Sequence, residues 1–203
     1  MTTADVPDVV ADQATVVQEA LDALGLAGAD HFADDTLHVV LEVDAGGRVR
    51  VITIRGIWRA LTDGACRMPL IYVNDRPILA MPEISGHGGR LGRDVSRPEH
   101  GLVAREFVVE RPLRTGEEVV LEQRTEWADD LEDQSYEHYL VRKVHELVLW
   151  VRFHPDRLPS AAQSYTIVDG ERTVHELDVD GVSAIHLVLR RFGPGSAGIS
   201  WTW

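Results

Sequence analysis

The residues best suited to chemistry in this chain lie in the stretch SGHGGRLGRDVSR, residues 85–97. It places His87, Arg90, Arg93 and Arg97 among Gly86, Gly88, Gly89 and Gly92. Backbone N–H groups of a glycine-rich loop and the planar forks of arginine both suit phosphate or carboxylate. A small anionic ligand or an acidic partner surface is therefore expected there. The stretch lacks the Lys-Ser/Thr ending of a phosphate-binding P-loop. It also lacks the βαβ setting of a dinucleotide fingerprint, so no cofactor is assigned. A complementary feature is the acidic run 126–137, in which Asp129, Asp130, Glu132 and Asp133 are expected to form a solvated loop able to face a basic partner. It lacks the residue order of a calcium loop.

Other arrangements fall short of a catalytic set. His145-Glu146 begins like HExxH, but position 149 is leucine, so no metal site is assigned. No G-x-S-x-G elbow occurs. The single cysteine, Cys66, has no nearby histidine to lower its pKa. The neighbouring carboxylates sit in one charge run, whereas acid–base pairs need unlike environments. No catalytic residue is assigned. The alternative is an enzyme whose site assembles in space from residues 86–105, with His87, Arg90, His100 and Arg105 as its members. A sensor with a small-ligand pocket between sheets is a third reading.

The elements that must position these residues follow from hydrophobic period. Val16, Val17, Ala20, Leu21 and Leu24 recur at helical spacing, with Asp12 expected as the cap and Gly25 as the stop. From residue 36 the period becomes two, and Asp44–Gly47 supplies the turn of a hairpin. Residues 74–101 read as a long irregular loop. Residues 139–153 read as one long strand, apolar on both parities and so expected to be buried on both faces. Asp169-Gly170 marks another hairpin, and Trp201 and Trp203 share a face of the terminal strand. Nine or ten strands predict a mainly β fold, an antiparallel β-sandwich of Greek-key type (Ig-like or jelly-roll-like), with one N-terminal helix. The expected division is 1–35 for helix and connector and 36–203 for the sandwich.

Composition narrows the function classes. The 203 residues carry 33 acidic and 20 basic side chains, a net charge of −13. Whole-surface binding to nucleic acid is disfavoured, because phosphate backbones need a basic footprint. No apolar run reaches the roughly 20 residues needed to span a bilayer, so no membrane role is expected. The N-terminal stretch has no secretory pattern, and a cytoplasmic setting with reduced Cys66 is expected.

Three stretches, RPLRTGEEVVLEQRTEW, LVLWVRFHPDRLP and FGPGSAGISWTW, together with the strand RVITIRGIWRALTDG, carry a family resemblance. Over about residues 48–203 the chain resembles the β-rich domain that follows the helix-turn-helix in actinobacterial regulators, and related uncharacterised actinobacterial proteins. The resemblance implies an interaction or sensing role and carries no catalytic residue. With one helix before the first strand, direct DNA binding is not expected. The resulting expectation is a non-catalytic binding protein in a regulatory or signalling assembly, with a protein partner or small anionic ligand; self-association into a homo-oligomer stays open.

Overall fold

The structure, a computed structural model, describes residues 6–28, 31–128 and 132–203, with backbone alone for 6–13. Helix α1 (Val6–Leu24) precedes β1 (Phe32–Val43), β2 (Val49–Ala60), β3 (Ala65–Val73), β4 (Glu83–His87), β5 (Gly89–Asp94) and β6 (Leu102–Leu113). There follow β7 (Glu118–Glu126), β8 (Ser135–Leu140), β9 (Val144–Phe153), β10 (Ala161–Val168), β11 (Glu171–Leu177), β12 (Ala184–Phe192) and β13 (Gly195–Thr202). The fold is mainly β with one helix, as the periodicity predicts. No helix among the described residues is long and apolar enough to cross a membrane.

The strands form three sheets. One has six strands in the order β12-β9-β1-β2-β7-β4, one has four in the order β11-β10-β13-β8, and one has three in the order β3-β6-β5. The inner face of the six-stranded sheet supplies Leu37, Val39, Leu41, Leu121, Leu147, Leu149 and Val151 to the core. The four-stranded sheet adds Leu140, Ile199 and Trp201 to the same cluster, and the three-stranded sheet adds Met68, Val103 and Phe107. Each fully buried aliphatic or aromatic side chain contributes about 1.5–3 kcal/mol relative to exposure. At one end Phe153, Trp201 and Trp203 pack edge to face, with ring centroids 5.5–6.4 Å apart. Trp201 is 2% exposed and seals the core from the terminal strand. Tyr136 and His138, on the core-facing parity of β8, lie with hydroxyl and Nδ1 3.1 Å apart. Burial pushes the His138 imidazole down to about 4.

Local signals placed the turns well. Gly25 stops α1 with φ 66°, while the Leu26 and Gly25 N–H groups donate to Leu21 and Asp22 carbonyls, both at 2.9 Å. Asp169 and Gly170 take φ of 51° and 81°, as a tight hairpin between β10 and β11 requires.

Several expectations are corrected. The helix starts at Val6, so Asp12 is interior rather than a cap, and Pro7 falls in the first turn, where proline is tolerated. β1 begins at Phe32, ahead of residue 36. The sandwich is not purely antiparallel: β1 and β9 run parallel, in register from Thr36↔Glu146 to Val43↔Phe153. The stretch 139–153 is two strands in different sheets, broken between Leu140 and Val144. The supposed loop 74–101 contains β4, β5 and a short 3-10 turn at Pro98–His100. Its glycines serve packing. A Cβ at Gly86 or at Gly89 would lie 2.5 Å from the Phe107 ring, so only glycine lets the chain pass over that buried ring as it crosses between sheets.

Candidate functional site

The arginine stretch is organised around the end of α1. The last carbonyls of a helix have no intrahelical partner and form the negative end of its dipole. Arg93 donates from its guanidinium to the Ala23 carbonyl at 3.2 Å and to the Leu24 carbonyl. Arg67, from β3, donates to the same Leu24 carbonyl at 2.7 Å. Glu106, 6% exposed on β6, accepts from the Arg67 guanidinium and from the Arg93 backbone N–H. Burial opposes ionisation of Glu106, but these hydrogen bonds and the two guanidinium charges outweigh it and hold its pKa below the ordinary value. Arg97 pairs with Glu19 on the helix. Beneath α1, Ala20 packs on Leu102 and Ala104, with Val16, Val17, Ile71 and Val95 partly buried around them. Arg93 and Arg67 thus bind the carbonyl end of the helix, and Arg97 binds a carboxylate on it.

The other candidate residues are dispersed. His87 ends β4 in the six-stranded sheet and Arg90 lies on β5 in the three-stranded sheet, both exposed. His100 lies 4.0 Å from Glu99, and Arg105 pairs with Asp94 at 2.7 Å. In the acidic run, Glu132 pairs with Arg157 at 2.6 Å. Asp133 accepts the Val49 N–H at 2.8 Å and pairs with Arg76 at 3.3 Å, so it ties the β1–β2 hairpin in place. Asp129 and Asp130 lie outside the described residues. Among the described residues, no group of three or more His, Cys, Asp or Glu is placed to hold a metal ion. Cys66 is half-buried on β3.

A different surface stands out on the six-stranded sheet. Its outer parity carries Trp150 and Val148 on β9, Val40 on β1 and Val188 on β12. The register sets Trp150 beside Val40, and Val148 beside Val188. Trp150 is 42% exposed and Val188 45%, while Val40 and Val148 are half-buried. Ion pairs fringe these apolar side chains. His38 and Arg190 approach Glu146 at 3.6 and 3.4 Å, and Arg152 pairs with Glu42 at 3.3 Å while its guanidinium lies 5.5 Å from the Trp150 ring centre. β9 reads in sequence as a strand buried on both faces, the pattern of parallel strands covered on both sides. The structure corrects this: the inner face is buried, and the outer face is exposed. Among the described residues, α1 packs on β6 and β3, over the other sheet. The signal for this surface was present as the run LVLWV, but not the fact that one parity of it is exposed.

No protein-family model and no curated protein sequence matches the chain. Among solved structures, it is similar to a chain from Parabacteroides distasonis assigned provisionally as a protease, at 13% identity and a TM-score of 0.54, over 86% of this chain and 41% of that one. An M1 zinc metallopeptidase from Deinococcus radiodurans aligns at 14% identity and a TM-score of 0.44, over 84% of this chain and 42% of that one. The chain spans about two fifths of the length of each. What the first similarity establishes is the fold: this chain has a mainly β architecture that also occurs as part of a longer protein.

Proposed function

We propose that the protein is a non-catalytic β module that works by docking a folded protein partner onto the outer face of its six-stranded sheet. The single observation that carries this reading is β9, whose outer parity exposes Trp150 beside Val148, Val40 and Val188 although its sequence is that of a strand covered on both sides. An apolar centre with a charged fringe is the usual anatomy of a protein interface. The occurrence of the fold as two fifths of a longer chain supports a module that operates beside a further domain. A regulatory or signalling assembly, in keeping with the interaction or sensing role that the sequence resemblance implies, is one setting for it.

The test is photo-crosslinking from position 188 in the native host, followed by hydrogen exchange on the purified complex. A defined partner should crosslink at 188 and protect the amides of β9. Trp150→Glu should abolish both while leaving the fold intact, and Trp150→Ala should weaken binding by about 2 kcal/mol, or roughly thirtyfold. A partner that crosslinks and binds equally well to Trp150→Glu would sink the proposal.

A further inference from the structure

A second surface, independent of the docking face, lies on the four-stranded sheet. Its outer side is a trough of about 820 Å³. Register lines up Ser135, Ser200, Gln163 and Glu176 across β8, β13, β10 and β11, one residue per strand, and these polar side chains line the trough. One wall is Tyr165, which lies over Gly198 so closely that a Cβ there would collide with the ring. Arg172 sits 4.0 Å above the centre of the same ring, so neither face of Tyr165 is free for stacking. The opposite wall is formed by residues 178–180, where the Asp180 N–H donates to Asp178 Oδ1 at 3.1 Å.

Alongside the trough runs β11, the terminal strand of its sheet. It is exposed from Glu171 through Glu176 and contains no proline, so every residue along its edge has a backbone N–H; its charged side chains are Glu171, Arg172 and Glu176. Along its outer edge, backbone N–H and C=O groups are available for another strand. The side chains it presents toward the trough are Arg172, Val174 and Glu176. Arg172 is held over Tyr165 and keeps its positive charge, so the trough sets three carboxylates, Glu176, Asp178 and Asp180, against one cation; no ion pair to any of these three carboxylates is found among the described residues.

From this trough and edge we infer a binding site for an extended basic peptide segment. Its main chain would pair with β11, and alternate lysine or arginine side chains would reach across to Glu176, Asp178 and Asp180. β-Strand addition draws affinity from main-chain hydrogen bonds and specificity from alternate side chains. The charge complementarity favours a cationic peptide, and the covered Tyr165 ring disfavours a sugar that would need an aromatic platform.

The test uses a fluorescein-labelled heptapeptide of alternating lysine and threonine, titrated with the full chain and followed by anisotropy. Binding should weaken as salt is raised. The triple variant Glu176→Gln, Asp178→Asn, Asp180→Asn should lose at least about tenfold in affinity, which is about 1.4 kcal/mol. A variant with the same charge change elsewhere, Glu83→Gln, Glu110→Gln, Glu118→Gln, should bind like the unmodified protein. A peptide N-methylated at alternate amides should not bind, and Trp150→Glu should have no effect, which separates this site from the docking face. The inference is overturned by equal losses in the two triple variants, by undiminished binding of the N-methylated peptide, by preference for a glutamate–threonine peptide or for cellopentaose, or by no binding at about 1 mM peptide.

Discussion

Two outward sheet faces of this molecule meet the same problem and resolve it differently. The three-stranded sheet turns Leu102 and Ala104 outward and covers them with α1, whose Ala20 allows close approach and whose carbonyl end is gripped by Arg67 and Arg93. The six-stranded sheet turns Trp150, Val148, Val40 and Val188 outward, and no helix among the described residues packs over them. Its neighbouring charges pair with one another along the sheet, as Arg152 does with Glu42. The difference shows what each face does with its neighbours: Arg93 and Arg97 of the glycine-rich stretch contact α1, and an apolar face that reads as core is exposed on β9.

The comparison breaks most readily on β9, whose two parities should behave oppositely. Leu149, fully buried, should cost about 2–5 kcal/mol when changed to alanine, measured by urea unfolding. Trp150→Ala, one residue away on the exposed side, should cost under about 1 kcal/mol of stability and act on binding instead. A large loss of stability at Trp150 would mean that this face is structural.

On the covered side, Glu106→Ala should cost about 2 kcal/mol, because it leaves Arg67 without its buried counter-charge while Arg67 itself stays partly hydrated. The loss should appear first as faster hydrogen exchange in Val16–Leu24, with β9 unaffected. Uniform acceleration across the molecule would show that α1 is an integral part of the core rather than a docked element.

Acid should act on the covered side separately from β8 of the four-stranded sheet. His138, neutral in the fold with a pKa of about 4 against 6.5 when free, binds its proton more readily in the unfolded chain. Its contribution to stability is complete above pH 6.5 and is lost as pH falls toward 4, and His138→Asn should flatten that slope. The Glu106 pKa is lowered from 4.5, so helix docking is fully supported above that value and is lost as pH falls through the depressed one. Exchange of α1 amides against pH, with Glu106→Gln as the insensitive control, separates the two effects.

The smallest contrast lies within the arginine stretch. Arg93→Ala should loosen the end of α1 at a cost of about 1 kcal/mol, whereas Arg90→Ala, exposed on β5, should stay within about 0.5 kcal/mol. Equal effects would argue that the stretch acts as one unit.

Much of the fold was legible because its determinants are local. The stop at Gly25, the turns at Asp44–Gly47 and Asp169-Gly170, the two-residue period that begins near residue 36, and the shared face of Trp201 and Trp203 depend on residues a few positions apart. The glycines of residues 86–92 were visible too, but not their reason, since the ring they accommodate belongs to Phe107 on a later strand. The split of 139–153 was hidden because Tyr139, Leu140 and Val141 run on toward the apolar β9 with no proline or glycine between them, and only the pairing partners reveal the break.

By itself, then, the sequence determined a mainly β chain with one leading helix, its turns and most of its core-facing side chains, because period and turn chemistry are properties of neighbouring residues. Only the tertiary structure decided that β9 lies parallel to β1 across more than a hundred residues of chain, that Arg93 and Arg97 engage α1, and that the outer side of β9 exposes Trp150. Those outcomes depend on which distant surfaces meet, and the same apolar or cationic side chain serves core, cap or interface according to what the rest of the chain brings against it.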